Sequence, residues 1–305
     1  MKFFYKILII LYLIIITASF TFSNNINRVE TIDKKIIKNN IVYIKNETEP
    51  FTGKIIDKNI HEEYKNGIRH GLFKGIFLDK ENIFLYEGFY TEGLKHGKWK
   101  IKYKTGEIKA LLEYHYDKPY GQWEYYYNSK KLEGYENFEN GIISGKVAFF
   151  DKLGNTILET SYYNGLLNGK FLKYSSPNVL ETVANFQYGK LHGVIKLFSK
   201  KGIPLLEGKY FQNKRVDLWK FFYNTGDIKT TVFYKDGKRD GEMIIYDKIG
   251  VVVDKILYKD GQEVGTKKEN GKENQENSRD KLISKFKKFN KELNYEKYNE
   301  ILSNL

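Results

Sequence analysis

The segment Gly93-Leu94-Lys95-His96-Gly97-Lys98 sets two glycines and a lysine close together, the ingredients of a loop that cradles phosphate oxygens. The phosphate-binding pattern requires four residues between its glycines and a Ser or Thr after the lysine. Here three residues intervene and Trp99 follows, and the phrase recurs at Gly193-Val194 without the lysine, so it reads as a hairpin turn. His70, His96 and His192 each precede the second glycine of such a phrase, where other copies carry Tyr120, Ser144, Asn168 or Asp240. Histidines one copy apart would lie two strands apart, about 10 Å, whereas the ligands of one zinc each approach it within about 2.1 Å. Glu87, Glu159 and Glu207 stand three residues before a repeated aromatic, so strand alternation puts them on the other face as a solvated carboxylate row. Nothing else supplies a nucleophile with a base and an orienting group. With no cysteine in 305 residues, thiolate chemistry, disulfides and cysteine-ligated metals are also absent. The expectation is a chain without catalytic residues, metal or cofactor.

What positions these residues is a period. From Tyr90 onward the chain repeats, every 24 residues, an aromatic, a turn with two glycines four apart, and a large apolar residue. The phrase appears at Tyr64, Tyr90, Phe138, Tyr162, Phe186, Tyr234 and Tyr258, with weaker copies at Tyr114 and Tyr210, making nine in phase with only the first spacing stretched to 26. Such self-similarity marks a solenoid or array in which each unit buries its apolar face against its neighbours. Within Gly97 to Asp117, Lys98 to Tyr103 reads as a strand, Lys104-Thr105-Gly106 as a turn and Glu107 to Tyr116 as a returning strand. Each unit is therefore a β-hairpin, and the array an all-β, extended antiparallel sheet of about eighteen strands. Asp117, Asn178 and Asn213 are plausible stand-ins for turn glycine because Asn and Asp tolerate positive φ; Asp217 and Lys130 fit less well.

Two residues past the second turn glycine runs a column of Phe73, Trp99, Trp123, Val147, Phe171, Ile195, Trp219 and Met243. Ile101, Tyr125, Phe149, Leu197, Phe221 and Ile245 follow two further on, and that spacing puts both columns on one face. A third column, Tyr126, Phe150, Tyr174, Phe198, Phe222 and Tyr246, falls out of this parity. That implies either a bulge before the inner turn or rings on the second face. These six are the candidate partner-binding residues.

The ends differ in character. Lys2 and Lys6, the apolar run Ile7 to Ile16 and small residues near Ser19 and Ser23 make residues 1–23 a secretory signal peptide; an uncleaved anchor is the alternative. Residues 24–60 should cap the array, with Glu49 to Ile55 resembling half a unit, and residues 61–265 hold the repeats. A polar linker spans 266–278. Residues 279–305 then place Leu282, Ile283, Phe286, Phe289, Leu293, Ile301 and Leu302 at helical spacings, an amphipathic helix that either caps the last hairpin or lies on an anionic membrane. The formal charge of +13 suits a polyanion, but export disfavours nucleic acid and lysine also serves as a solvating residue.

The phrase Tyr-x-x-Gly-x-x-x-Gly followed by an aromatic, as in Tyr90 to Trp99 and Tyr162 to Phe171, resembles the MORN (membrane occupation and recognition nexus) repeat. More closely it is similar to the bacterial MORN-variant repeat and the antitoxin-type family built from it, over about two thirds of the chain, Phe51 to Gly265. The resemblance implies an extended sheet of hairpins serving as a scaffold, a protein-binding surface or a membrane-associated element. The chain departs from the kinase-fused forms, since no kinase domain accompanies these repeats, and from a cytoplasmic antitoxin in carrying an export signal. The functional expectation is an exported, periplasmic or secreted, non-enzymatic scaffold that binds a protein partner through its aromatic ribbon. The alternatives are an antitoxin or immunity protein and a membrane-surface protein held by the tail.

Overall fold

A computed structural model describes residues 27–79 and 82–268 of the chain. The expected signal peptide, the expected helix over 279–305 and the expected linker beyond residue 268 lie outside the described residues. Those described are all-β and mostly antiparallel, hairpin after hairpin, with one short 3-10 turn at Ile32–Lys34. They divide into two compact units, one reaching to Leu132 and including Asn137–Ile142, the other holding Glu133–Glu136 and everything from Ile143 onward.

In the first unit the strands Gly53–Asp57, Ile60–Lys65, Ile68–Asp79, Asn82–Thr91, Leu94–Tyr103 and Ile108–His115 pair antiparallel in chain order, and Gly121–Tyr126 continues the sheet. Two features outside the repeat close its start. A separate hairpin, Lys35–Lys38 with Ile41–Ile44, packs Val42 and Ile44 on Phe51, Ile55 and Tyr64. The two-residue strand Val29–Glu30 runs parallel to Lys54 and Ile55, and Lys54 N–H donates to the Arg28 carbonyl at 2.7 Å, so the outer side of Gly53–Asp57 is occupied. An uncovered edge here would invite strand addition.

In the second unit Gly145–Phe150, Thr156–Tyr163, Gly169–Ser176, Val179–Gln187, Gly193–Phe198, Pro204–Phe211, Lys214–Phe222, Ile228–Lys235, Lys238–Tyr246, Val252–Lys259 and Gln262–Lys268 pair antiparallel in the same way. The last of these runs three residues into the expected linker. Thr266 to Lys268 remain in register with Ile256 to Asp254, so the polar composition there belongs to a strand.

The outer turns explain the glycines. At Asn66-Gly67, Glu92-Gly93, Tyr116-Asp117, Asn140-Gly141, Asn164-Gly165, Tyr188-Gly189, Gln212-Asn213, Asp236-Gly237 and Asp260-Gly261 both central residues have φ between 48° and 89°. Two positive φ values in a two-residue hairpin loop define the type I′ turn, whose twist matches that of the strands. Asp117 and Asn213 adopt the glycine conformation, and so do Lys130 and Asp217 at their own positions (φ 65° and 62°). Successive turns are bonded to one another. The N–H of Gly93 donates to the Arg69 carbonyl, Asp117 to Lys95, Gly165 to Ile143, Gly189 to Leu167, Asn213 to Leu191, Gly237 to Arg215 and Gly261 to Arg239, all at 2.8–2.9 Å. Asp117 and Asn213 add a second bond, since their Oδ1 atoms accept from the Lys95 and Leu191 N–H groups, each at 2.7 Å. Asn213→Ala is therefore expected to cost about 1–3 kcal/mol in a urea titration, because alanine strains at positive φ and abandons that N–H. Asn213→Gly should cost less, as it retains the conformation and loses only the acceptor.

Register slips between Phe149 and Phe150, Lys173 and Tyr174, Leu197 and Phe198, Phe221 and Phe222, and Ile245 and Tyr246, each leaving one extra residue on the returning strand. The outgoing strand keeps its alternation, so the out-of-parity column lies on the second face of the sheet. The hairpin Ile68–Asp79 with Asn82–Thr91 has no such slip and pairs in one register down to Asp79 opposite Asn82, which accounts for its longer spacing.

Candidate interaction surface

The buried face is built from rings stacked along the sheet. In the first unit Trp99 lies edge-on to Tyr90 at 5.1 Å and Tyr114 at 6.2 Å, and in the second Trp219 lies between Tyr210 at 5.1 Å and Tyr234 at 5.8 Å. The space for each indole is made by a strand glycine opposite the preceding apolar residue. A Cβ on Gly88 would sit 2.2 Å from the Trp99 ring, and one on Gly208 2.2 Å from that of Trp219. Gly134 makes the same room for Phe149. Cations cover the rings: Arg69 over Phe73 and Tyr90, Lys95 over Trp99 and Tyr114, Arg215 over Trp219 and Tyr234, and Arg239 over Tyr258, at 4.6–5.5 Å from the centroids. Arg215 and Arg239 also donate to the Tyr234 and Tyr258 hydroxyls at 3.1 and 2.9 Å. With their cations stacked and bonded inward, these columns are core.

The six sequence-derived candidates take an intermediate position. Tyr126, Phe150, Tyr174, Phe198, Phe222 and Tyr246 are all half-buried, beside the inner turns. Tyr126 donates its hydroxyl to Glu124, and that bond, with some burial, pushes the phenol up to about 12. The Tyr126 and Tyr246 carbonyls accept from the Tyr103 and Tyr223 hydroxyls of the preceding hairpins at 2.8 and 2.7 Å. So part of this column serves to join hairpins through its backbone, while its residues stay partly exposed.

More exposed rings stand at the outer-turn end of the sheet, which the sequence reading did not single out. In the second unit Tyr163, Tyr188 and Phe211 are 52%, 58% and 57% exposed. Tyr163 and Tyr188 meet edge-on at 6.0 Å, Leu166 is exposed beside them, and Phe211 packs on His192 at 5.1 Å. In the first unit Tyr116 and Tyr120 are exposed, with Tyr116 at 4.5 Å from His96 and 4.9 Å from His115. The signal available in the sequence was that Tyr116 and Tyr188 occupy the first position of a type I′ turn, where a ring cannot turn into the core.

The position before the second glycine caps the next turn at His70, though not through the Nδ1 atoms of His96 and His192, which are buried without a hydrogen-bond partner. His70 Nδ1 accepts from the Glu92 N–H at 3.4 Å, and in equivalent places Asn168 accepts from Tyr188 and Asp240 from Asp260, at 3.2 and 3.3 Å. Among the described residues no cluster of three or more metal-ligating side chains occurs. Of the carboxylate row, Glu87 pairs with Lys102 at 3.1 Å and Glu207 with Lys196 at 3.2 Å, while Glu159 is exposed. Exposed pairs of this kind contribute about 0–1 kcal/mol each.

One charged cluster is buried. Glu62, 5% exposed, accepts from Lys35 Nζ, from the Tyr64 hydroxyl at 2.9 Å and from Arg69 at 3.4 Å. Around it desolvation raises the Tyr64, Tyr86 and Tyr90 phenols, and further along the same face it raises Tyr114. Unfolded tyrosines release their protons near pH 10, whereas these hold them to higher pH. Their contribution to stability is thus complete below pH 10 and lost as pH rises toward the folded-state values; Lys95, lowered by desolvation, acts in the opposite sense. Thermal melts should fall above pH 10, with the last part of the tyrosinate absorbance appearing together with unfolding. Complete tyrosinate absorbance before unfolding would mean that these hydroxyls are not desolvated.

Compared with family models and with curated proteins, the chain matches none.

Proposed function

We propose that the chain is an exported, non-enzymatic scaffold of MORN-like 24-residue hairpin repeats, and that it binds a protein partner through its aromatic-rich sheet. The observation that carries this reading is the set of exposed rings Tyr163, Tyr188 and Phe211 on a backbone braced by turn-to-turn hydrogen bonds. Rings held in place on a rigid support lose little entropy on binding and bury much apolar surface. The half-buried column Tyr126, Phe150, Tyr174, Phe198, Phe222 and Tyr246 is the second surface available to a partner. Export rests on the basic start and apolar run of residues 1–23.

Fractionation of the native protein, with the mass of its mature N-terminus and an alkaline wash of the membranes, tests the class. A start near Phe20 or Asn24 in the soluble exported fraction is expected. Met1 retained in washed membranes would instead indicate an anchored protein, and intact Met1 in the cytosol an antitoxin-like one.

A further inference from the structure

Five half-buried rings of the second unit recur at one register position. Phe150, Tyr174, Phe198, Phe222 and Tyr246 each follow the same slip in pairing and stand opposite Thr156, Leu180, Pro204, Ile228 and Val252. The facing positions carry no ring, so each hairpin brings one to the second face of the sheet. We propose that this row binds an acidic polysaccharide, a strand of β-linked sugars with one carboxylate per disaccharide, and that each hairpin takes one disaccharide.

Spacing is the first argument. Neighbouring strands lie about 4.8 Å apart, so rings on every second strand are about 10 Å apart. An extended β-linked disaccharide has the same length, and the flat C–H faces of its sugars match the apolar face of an aromatic ring. A folded protein surface carries no such period, whereas a polysaccharide repeats it along its whole length.

Charge is the second. Residues Gly145 to Lys235 carry 13 lysines and one arginine against six carboxylates, a net charge of +8. Four of these lysines keep the ring parity: Lys146 precedes Phe150 by four residues, Lys170 precedes Tyr174 by four, and Lys196 and Lys220 precede Phe198 and Phe222 by two. Even spacing on one strand puts each lysine on the same face as its ring. One cation therefore accompanies one ring through four successive hairpins. Lys196 pairs with Glu207 at 3.2 Å, but both side chains are about 40% exposed, and an ion pair of that kind yields readily to a ligand carboxylate.

Support is the third. The strands that carry the first four rings bury Val147, Phe171, Ile195 and Trp219 on the opposite face, so the rings stand on backbone fixed by the core. Sheet twist turns each ring relative to the last. A single hydrated sugar strand can follow that turn, and a flat crystalline surface cannot.

Isothermal titration of the full-length protein with hyaluronan oligosaccharides, whose disaccharide carries one carboxylate, tests the proposal. A decasaccharide should bind about tenfold or more tighter than a tetrasaccharide, because it reaches more rings. The variant Tyr174→Leu, Phe198→Leu and Phe222→Leu keeps apolar bulk on the face but removes the flat rings, and should lose about tenfold or more of that affinity. Lys170→Gln with Lys220→Gln should weaken binding most at low salt. Tyr163, Tyr188 and Phe211 lie outside the row, so changing all three to Ser should leave the titration unaltered. A wild type that does not bind the decasaccharide, affinity that does not grow with length, equally tight binding of polyglutamate of the same charge, or a leucine variant that binds like wild type would each overturn the proposal.

Discussion

Trp219→Ala is expected to lower the unfolding free energy of the second unit by about 3–5 kcal/mol, the range for removing a fully buried large aromatic. Trp219 is 0% exposed. Its ring lies against Tyr210 and Tyr234 beneath Arg215, and its Nε1–H is shared between the Lys209 and Val216 carbonyls, both at 3.2 Å. Removal would leave two tyrosines and a guanidinium without the surface they pack on. Gly208→Ala attacks the same contact from beneath, with a Cβ 2.2 Å from the indole. Overpacking of that kind costs about 1–3 kcal/mol. Because the two residues touch, Gly208→Ala with Trp219→Leu should cost measurably less than the sum of the single changes. Each hairpin packs mainly on its neighbours, so Trp219→Ala should also split or broaden the urea transition seen by circular dichroism. An unbroadened transition with a loss below about 1 kcal/mol would show that the indole is not a keystone of this unit.

The second large effect is expected at the start of the array. Lys35→Met removes the ammonium that faces Glu62 and leaves a carboxylate that is 5% exposed with only Arg69 and the Tyr64 hydroxyl. Breaking a buried pair by deleting one partner costs about 3–5 kcal/mol, while replacing both partners by apolar residues can be nearly neutral. Lys35→Met with Glu62→Leu should accordingly recover most of the loss from Lys35→Met alone. Lys35 lies on the hairpin that places Val42 and Ile44 over Phe51, Ile55 and Tyr64. Hydrogen exchange should show the damage confined to those strands. If the double variant is no better than the single one, the stability of this cap comes from apolar packing rather than from the charge pair.

Much of the architecture can be read from the residues because glycine, asparagine and aspartate report backbone conformation directly. The paired positive φ values at Asn66-Gly67 or Asp236-Gly237 follow from residue type, and the stand-ins Asp117 and Asn213 do adopt that conformation. The parity break at Phe150, Tyr174, Phe198, Phe222 and Tyr246 is likewise visible as a shift from even to odd spacing, and regular alternation turns it into a place on the second face, while the bulges fall on the returning strands where no spacing showed them. Lys130 and Asp217 show the limit of the method. Their positive φ is imposed by the hairpins on either side, against local preference.

What the residues did not reveal depends on contacts distant in sequence. Gly88, Gly134 and Gly208 lie outside the turns, and their function as floors for Trp99, Phe149 and Trp219 becomes apparent only when the facing strand is in place. The parallel strand Val29–Glu30 is two residues long and has no periodic signature. Glu62 occupies a column that elsewhere holds Gly88, Leu112, Glu136, Ala184 and Val232, and its partner Lys35 arrives from outside the repeat, where no periodicity could announce it. The exposed rings at Tyr163 and Phe211 share the composition of the core rings, and alternation near a type I′ turn is what separates the two sets.

The most direct test of a partner-binding scaffold is capture from the exported fraction of native cells on immobilised full-length protein, quantified by mass spectrometry. It would compare wild type with a variant carrying Tyr163→Ser, Tyr188→Ser and Phe211→Ser, and with one carrying Tyr126→Ser, Tyr174→Ser and Tyr246→Ser. Wild type should retain a protein in fixed stoichiometry, and the first variant should lose it while keeping the β-sheet circular-dichroism signal. Loss with the second variant alone, fold intact, would move the binding surface to the inner-turn column. Retention of no protein by wild type, or equal retention by all three proteins, would contradict the assignment of this aromatic sheet as a partner-binding surface.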